Sequence, residues 1–235
     1  MVEAQLAEEA VTYLKARKKE FLQRFASLDV HAPSDRPVTI FMAGSPGAGK
    51  TEVSKRLLKE FPGAVPPVRF DLDEIRAWLP GYNGANADTF QKAGTIGVNK
   101  LYDFVLEKKL SAILDGTFGY ADAMGNVRRS LDHGRHVEIY YLYQDPCIAW
   151  NVTKQREAIE GRSVPRDVFI RTFFEAQENV RRAKGEFGDR IILNVMIRDF
   201  QTGSDDVRLG VDGLDGVSLV PYTAEDLTKL LPQEL

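Results

Sequence analysis

The sequence predicts an α/β fold in which a mostly parallel sheet is flanked by helices on both faces. From Val38 onward, short apolar runs alternate with longer segments of helical periodicity. Such runs are typical of parallel strands buried on both faces, with helices as the crossovers between them. A glycine-rich loop follows the first apolar run, and one further helical segment precedes that run. The expected architecture is therefore three layers, helix–sheet–helix, plus an N-terminal helix.

Composition excludes several classes of protein. The 235 residues allow one large domain or two small ones, and the net charge of −3 lacks the strong positive field of a general nucleic-acid binder, which does not exclude a local basic cleft. A single cysteine, Cys147, excludes an internal disulfide and a cysteine-rich zinc site, and the spacing of the three histidines argues against a histidine metal site. No apolar run approaches a membrane span and the acidic N-terminus lacks a signal-peptide core, so we expect a cytoplasmic protein.

The N-terminal residues 2–27 have the spacing of an amphipathic helix, with apolar side chains at Leu6, Ala10, Leu14, Phe21 and Phe25. This helix is expected either to pack on the main domain or to bind a partner protein. Residues 31–37 contain two prolines and are interpreted as a linker. We therefore divide the chain into a helical segment (residues 1–30), the linker, and a main domain (residues 38–235).

The main domain contains five strand candidates and six helix candidates. Apolar runs predict strands at 38–43, 68–70, 111–114, 137–143 and 191–197. Helical periodicity predicts helices near 50–60, 87–109, 121–133, 146–160 and 167–187, and Thr223-Ala-Glu-Asp predicts a capped helix over 223–231. Residues 201–220, rich in glycine and aspartate, are interpreted as turns between short edge strands.

The glycine-rich loop matches the pattern G-x-x-x-x-G-K-[ST] of a phosphate-binding P-loop between a strand and a helix. Its residues are Gly44, Ser45, Pro46, Gly47, Ala48, Gly49, Lys50 and Thr51. Backbone N–H groups and the helix N-terminus are expected to hold the phosphates of ATP or GTP. Lys50 is then expected to contact the β- and γ-phosphates, and the Thr51 hydroxyl to hold Mg²⁺.

Two strands end in acidic residues, as a phosphotransferase requires. Phe70-Asp-Leu-Asp73 ends the second strand, where a carboxylate can take the proton of an acceptor hydroxyl. We choose Asp73 as this base; Asp71 is the rival, and both residues could instead only cap the following helix. Asp115 ends the third strand, at the usual place for Mg²⁺ and its waters.

Basic residues and a polar loop complete the predicted site. Arg156 and Arg162 lie at a helix end and in the loop after it, where a lid can bring guanidinium groups onto the transferred phosphoryl group. The segment 79–91 contains Tyr82, Asn83 and Gln91, whose polar groups suit sugar hydroxyls. It can also be an ordinary connecting loop with a helix cap. The short spacing between Lys50 and Asp115 and the lack of a guanine-selective N-K-x-D element argue against a signalling GTPase. A compact kinase remains.

These elements together resemble the zeta toxin family, the kinase toxins of epsilon/zeta toxin–antitoxin systems, over about residues 38–200. The resemblance is carried by Gly44–Thr51, Asp-Leu-Asp73, Leu-Asp115-Gly-Thr117, and Arg156 followed by Gly-Arg162-Ser-Val-Pro. It implies a P-loop kinase that phosphorylates the 3′-hydroxyl of the amino sugar of UDP-N-acetylglucosamine and stalls cell-wall precursor synthesis. It also implies that Asp73 is the base, that Arg156 and Arg162 are lid arginines, and that Asp115 and Thr117 contact substrate and metal.

Two positions depart from the family pattern. The family has glutamate where this chain has Asp115, and often an arginine where it has Gly119. The arginine belongs to the substrate side of the pocket, so its loss bears on the acceptor more than on phosphoryl transfer. Arg76, Arg128 or Arg129 could supply the missing charge.

Other interpretations of the sequence stay open. Asp73-x-x-Arg76 also resembles polynucleotide 5′-kinases, although the acidic chain argues against nucleic acid as a partner. A phosphotransferase of another small metabolite fits the same motifs, as does a nucleotide-dependent regulatory module that binds a protein. If the resemblance holds, we expect either an antitoxin protein or an internal restraint by the N-terminal helix.

Overall fold

The computed structural model describes residues 2–63, 65–161, 163–199, 204–217 and 219–232. The strands in these residues are β1 (Val38–Ala43), β2 (Val68–Asp71), β3 (Ala112–Asp115), β4 (His136–Gln144), β5 (Ile192–Asp199) and β6 (Ser204–Arg208). The helices are α1 (Val2–Ala16), α2 (Lys18–Ala26), α3 (Lys50–Glu60), α4 (Leu72–Trp78), α5 (Gln91–Glu107), α6 (Ala123–Asp132), α7 (Pro146–Glu160), α8 (Arg166–Phe187) and α9 (Ala224–Leu230), with a 3₁₀ turn at Gly188–Arg190.

The six strands form one sheet in the order β2-β3-β1-β4-β5-β6. The pairs β2–β3, β3–β1, β1–β4 and β4–β5 are parallel, and β6 is antiparallel to β5. The carboxyl ends of the five parallel strands therefore meet at one edge of the sheet, where α/β proteins bind ligands. The predicted mostly parallel α/β sheet is confirmed.

Apolar side chains cover both faces of the sheet, as the continuous apolar runs predicted. On one face, Ile40, Met42, Ile113, Leu142 and Met196 pack against α3 through Val53. On the other face, a larger core joins the sheet to α1, α2, α5, α6, α8 and α9. The layers are therefore helix, sheet and helix.

The N-terminal segment forms two helices rather than the single helix predicted over residues 2–27. The break lies at Arg17, whose backbone (φ −108°, ψ 29°) leaves the helical region. Leu14 and Phe21 are fully buried, and the rings of Tyr13 and Phe21 lie 5.2 and 5.4 Å from the ring of Trp78 at the end of α4. These helices therefore pack on the core and support α4 and α5.

Close contact between these helices depends on glycine in α5. A Cβ atom at Gly97 would lie 2.9 Å from Ile75 of α4, 3.1 Å from Leu14 and 3.3 Å from Phe21. A Cβ atom at Gly94 would lie 2.6 Å from Leu72. The absence of side chains at both positions lets α4 lie directly on α5.

Most predicted elements are present within a few residues of their predicted bounds. Two differ: α4 has seven residues and was not predicted, and the helix predicted at 87–109 begins at Gln91, because residues 79–90 form turns. The predicted cap of the last helix is confirmed, since the Thr223 side chain accepts from the N–H of Asp226 and the Asp226 carboxylate accepts from the N–H of Thr223.

A C-terminal strap, residues 219–232, crosses the helices α7 and α8. The Tyr222 hydroxyl donates to Asp145, which caps α7, at 2.8 Å. At the start of α8, the Arg166 guanidinium donates to the carbonyl oxygens of Thr228 (3.3 Å) and Leu231 (3.1 Å). Among the described residues, every helix is too short or too polar to cross a lipid bilayer.

Candidate active site

The P-loop connects β1 to α3 and follows the backbone that its glycines permit. Gly47 and Gly49 have φ angles of +74° and +84°, in the left-handed region that disfavours other residues. A Cβ atom at Gly47 would lie 2.0 Å from the carbonyl oxygen of Ala149 in α7. Any larger residue at this position would therefore displace the loop from α7.

Lys50 lies at the first position of α3 and is 9% exposed. Its Nζ donates to the carbonyl oxygen of Ser45 at 2.5 Å, so the ammonium group lies inside the curve of the loop. The helix N-terminus adds positive potential at the same place. A cation, a helix terminus and a curled loop backbone form a site for a phosphate group.

A buried arginine that sequence reasoning missed organises the ends of β2 and β3. Asp71 and Asp115 are partners in the parallel register. Arg69 donates to Asp71 at 2.7 Å and to Glu74 at 2.7 Å, and it also pairs with Asp115. The Ser54 hydroxyl donates to the same oxygen of Asp115 at 2.7 Å. An arginine among the apolar and acidic residues of the run Val-Arg-Phe-Asp was the available signal.

The carboxylates keep Arg69 charged in spite of its burial. Burial alone would lower the pKa of Arg69, but the charge of Asp115 and its hydrogen bond, followed by Asp71 and Glu74, outweigh it and raise the pKa above its ordinary value. Asp115 thus has a balancing positive charge within the protein, which it shares with Asp71 and Glu74.

This balance limits what Asp115 can offer a metal ion. One of its oxygens already accepts from Arg69 and Ser54. Within the part of the chain that the structure describes, there is no cluster of three His, Cys, Asp or Glu side chains that could hold a metal ion. The donor set fits Mg²⁺ only as a shared site, in which Thr51 and Asp115 contribute oxygens and phosphate and water supply the rest.

Asp71 and Asp73 have different surroundings. Asp71 caps α4, since its Oδ1 accepts from the N–H groups of Asp73 (2.9 Å) and Glu74 (3.4 Å). Asp73 lies in the first turn of α4 with 36% of its side chain exposed, and Arg76 donates to it at 2.8 Å. Arg76 is 4% exposed and also donates to the side-chain oxygen of Gln91. The structure therefore brings together Asp73, Arg76 and Gln91, three of the predicted site residues.

The predicted acceptor loop is held by its own amides. The backbone N–H groups of Asn83 and Asn86 each donate to the other's side-chain oxygen, at 3.0 and 3.1 Å, and the Asn86 amide donates to the carbonyl oxygen of Gly81 at 2.9 Å. The Tyr82 ring packs edge-on against Phe90, with centroids 5.6 Å apart. Asn83 and Tyr82 therefore help to shape the loop, whether or not they also contact a substrate.

Thr117 and Gly119 lie between the P-loop and α8. The N–H of Gly44 donates to the carbonyl oxygen of Thr117 at 3.0 Å, which joins this segment to the start of the P-loop. A Cβ atom at Gly119 would lie 3.3 Å from both the carbonyl oxygen and the methyl group of Thr172 in α8. The position of α8 therefore leaves little room for the arginine expected from the resemblance.

The structure describes one of the two predicted lid arginines. Arg156 is on the exposed surface of α7. Arg162 lies outside the described residues. Asp145 begins α7 by accepting from the N–H groups of Cys147 (2.9 Å) and Ile148 (3.3 Å).

A second arginine that sequence reasoning missed contacts the P-loop. Arg198, near the end of β5, donates to the carbonyl oxygen of Gly49 at 3.3 Å and to Asp205 of β6 at 3.2 Å. A Cβ atom at Gly49 would overlap its guanidinium group. The available signal was a basic residue at the carboxyl end of an apolar strand.

The comparisons with known proteins agree with this geometry. The family model described as zeta toxin matches residues 25–204. A solved structure from the PezAT chromosomal toxin–antitoxin system of Streptococcus pneumoniae aligns with 94% of this chain and 87% of its own, at a TM-score of 0.63 and 17% identity. A search of curated proteins found no match.

Two further solved structures share the fold. The AvrRxo1-ORF1:AvrRxo1-ORF2 structure with ATP aligns with 99% of this chain and 72% of its own, at a TM-score of 0.60 and 13% identity. The structure of the same pair with sulphate ions aligns with 98% and 73%, at a TM-score of 0.60 and 14% identity. At such low identities, these structures show that the chain has their P-loop kinase-like α/β fold.

Proposed function

The chain belongs to the zeta toxin family, and from this premise we propose that it is a P-loop kinase that transfers the γ-phosphate of ATP to a sugar hydroxyl of UDP-N-acetylglucosamine or a related UDP-sugar. The family and the P-loop support the kinase; the UDP-sugar acceptor is the finer part of the proposal. In a cell, the phosphorylated product would block the synthesis of cell-wall precursors.

The observation that carries the proposal is that the P-loop and a partly exposed carboxylate, Asp73, lie at the same edge of one sheet. In the proposed reaction the acceptor oxygen forms a bond to the γ-phosphorus, the bond to the β,γ-bridging oxygen breaks, and ADP leaves. Asp73 takes the hydroxyl proton. Lys50 and the backbone N–H groups of residues 44–51 other than Pro46 hold the phosphates, while Arg76 keeps Asp73 oriented.

We propose that the remaining negative charge of the phosphates is neutralised by Mg²⁺ and by the arginines of a lid, the segment between α7 and α8. Mg²⁺, when bound to the Thr51 hydroxyl and Asp115, would neutralise charge on the phosphate oxygens. Arg156 and Arg162 would approach the transferred phosphoryl group as the segment between α7 and α8 closes. GTP is the alternative phosphate donor, because no base-selective element is evident in the sequence.

The acceptor is proposed to bind beside α4 and α5. Arg76, Gln91, Tyr82 and Asn83 line this side, and Asp115 and Thr117 lie across from them at the ends of the central strands. Arg76 is the best candidate for a contact with the charged part of the acceptor, because it contacts Asp73, whereas Arg128 and Arg129 lie on α6 and pair with Glu186 and Asp103.

A second candidate function is the phosphorylation of another small hydroxyl compound. The observation in its favour is Gly119, since the arginine expected on the substrate side is absent and a Cβ atom there would lie 3.3 Å from Thr172 of α8. The chemistry would be the same, and only the acceptor would differ.

We also propose a protein that restrains the kinase. The pneumococcal neighbour comes from a toxin–antitoxin system, and the AvrRxo1 structures contain two proteins. An antitoxin is therefore the proposed partner. Restraint by the N-terminal helices is the alternative, because they pack behind the proposed acceptor site.

The first experiment is a mass-spectrometric screen with the purified protein. We expect a gain of one phosphate on UDP-N-acetylglucosamine in the presence of ATP and Mg²⁺. The panel also contains other UDP-sugars, nucleosides and 5′-hydroxyl oligonucleotides. Phosphate on a small hydroxyl compound that is not a UDP-sugar would support the second candidate.

The control is the variant Lys50→Ala, which should form no product because it loses the cation of the phosphate site. Slow loss of ATP with no phosphorylated acceptor in the wild-type protein would contradict the kinase and favour a nucleotide-dependent regulatory module.

A further inference from the structure

Two polar side chains at the ends of β4 and β5 lie outside the proposed chemistry. Gln144 is the last residue of β4, and Arg198 is its partner in the parallel register of β5. Because side chains alternate along a strand, Gln144 shares a face with Leu142, and Arg198 shares it with Met196. Leu142 and Met196 belong to the apolar cluster beneath α3. Gln144 and Arg198 are therefore on the same face of the sheet as α3 and the P-loop.

The P-loop crosses directly over this part of the sheet. A Cβ atom at Gly44 would lie 2.4 Å from the carbonyl oxygen of Leu142, and one at Gly47 would lie 2.0 Å from that of Ala149 in α7. Arg198 donates to the carbonyl oxygen of Gly49. The backbone on either side of Gln144 therefore lies against the P-loop, and the Gln144 side chain is itself 1% exposed.

The Gln144 amide has no hydrogen-bond partner among the described residues. The residue is 1% exposed, and neither Oε1 nor Nε2 is satisfied. An amide offers one acceptor and two donors, and burying them unpaired is unfavourable. Asn194, on the same sheet face and 4% exposed, shows the usual arrangement: it donates to Glu138 at 3.0 Å and accepts from the N–H of Gly210 at 3.1 Å.

Binding of a phosphate group would change the hydrogen bonds of the P-loop. Lys50 donates to the carbonyl oxygen of Ser45, and its ammonium group must turn toward an incoming phosphate. That carbonyl then loses a donor, and the peptide groups of the loop turn their N–H groups inward to the anion. A buried amide on the sheet side of the loop can supply hydrogen bonds to the carbonyl oxygens that this turn directs away from the anion.

We propose that Gln144 is a positioning residue for the P-loop, whose amide forms hydrogen bonds to the loop backbone when nucleotide is bound, while Arg198 holds the loop at Gly49. This inference rests on the proposed nucleotide binding. The unsatisfied amide raises the free energy of the ligand-free protein and is satisfied in the bound protein, which favours binding.

The test is the substitution Gln144→Met, which keeps the volume of the side chain and removes both polar groups. Without ligand, the melting temperature should stay the same or rise, because no hydrogen bond is lost. The dissociation constant for ADP with Mg²⁺ should increase about five- to tenfold, the equivalent of one or two hydrogen bonds. Substitution of a residue that only fills the core would not weaken ADP binding while leaving the melting temperature the same or higher.

The matched control is Asn194→Leu, which removes a buried amide whose partners are present. It should lower the melting temperature and leave ADP binding unchanged. An unchanged dissociation constant for Gln144→Met would overturn the proposal, as would a fall in its melting temperature equal to that of Asn194→Leu.

Binding of a second ligand tests whether the Gln144 amide contacts the P-loop or the nucleoside. Inorganic pyrophosphate has no base or ribose, so the proposal expects its binding, measured by displacement of a fluorescent nucleotide, to weaken by a similar factor. A loss for ADP alone would place the amide on the nucleoside and overturn the proposal. If the wild-type protein binds neither ligand, the proposed kinase function fails; if it binds both and Gln144→Met binds them equally, only the inference about Gln144 fails.

Discussion

At the scale of single residues, Asp71 and Asp73 show how two neighbouring carboxylates acquire different roles. Asp71 accepts two backbone hydrogen bonds at the start of α4 and pairs with Arg69. Asp73 is partly exposed and contacts Arg76. The first carboxylate is suited to stabilising the fold, whereas the second can meet an acceptor hydroxyl.

This difference predicts that substitution of Asp73 mainly affects activity, whereas substitution of Asp71 affects stability. Asp73→Asn should reduce phosphotransfer about 10²- to 10⁴-fold with little change in stability, because it removes a general base. Asp71→Ala should lower the free energy of unfolding by at least about 0.5–2 kcal/mol, the usual cost of a lost N-cap. Initial rates and urea unfolding measure the two effects. Full activity in Asp73→Asn would refute the assignment of the base.

At the scale of secondary structure, local patterns in the sequence predicted most elements of the fold. Most parallel strands were nearly continuous apolar runs, and the capping box at Thr223 marked the last helix. The helix α4 was not predicted, because seven residues give too few turns for a periodic pattern. The break at Arg17 could not be seen either, since the apolar spacing continues across it.

The site was predictable only where its residues are close in sequence. The P-loop and the segment containing Asp73 and Arg76 are local motifs. Arg69 and Arg198 were missed because their partners, Asp115 and Gly49, are 46 and 149 residues away in the sequence. Their roles depend on which strands are neighbours in the sheet, and a single sequence does not show strand order.

The N-terminal helices should contribute strongly to stability. Leu14 is fully buried against α5, close to Gly97. We expect Leu14→Ala to lower the free energy of unfolding by about 2–5 kcal/mol, the usual cost of such a truncation in a core. Lys15→Ala, at the exposed next position, is the control and should change it by less than about 0.5 kcal/mol.

Deletion of residues 2–27 tests the same helices as a unit. It would uncover Trp78, whose ring packs against Tyr13 and Phe21, so we expect a low yield of folded protein. A fully stable truncated protein with stronger growth inhibition would instead indicate that the helices act as an internal restraint.

At the scale of the whole molecule, buried tyrosines set a limit on stability at high pH. Burial raises the pKa of Tyr140 and Tyr143 to about 12, with further contributions from Glu138 and Asp145 respectively. Burial also raises the pKa of Tyr102 and Tyr141. These groups stay neutral in the folded protein at a pH where they ionise in the unfolded chain.

Stability should therefore fall as the pH increases from about 10 to about 12. A raised pKa in the folded state means that the folded protein binds more protons than the unfolded chain in this range, so each rise in pH favours unfolding. Below about pH 10 the contribution is complete. Urea unfolding at several pH values, with tyrosinate absorbance as a second signal, measures the decline. A constant free energy of unfolding up to pH 12 would contradict the prediction.

The C-terminal strap has a consequence for the order in which the chain is made. It joins the start of α7 through Tyr222 and the start of α8 through Arg166, and its residues are translated after every strand of the sheet. A ribosome-bound chain therefore exposes the P-loop and Asp73 well before either helix of the lid is anchored. The phosphate site would therefore be able to fold before the strap fixes the starts of α7 and α8.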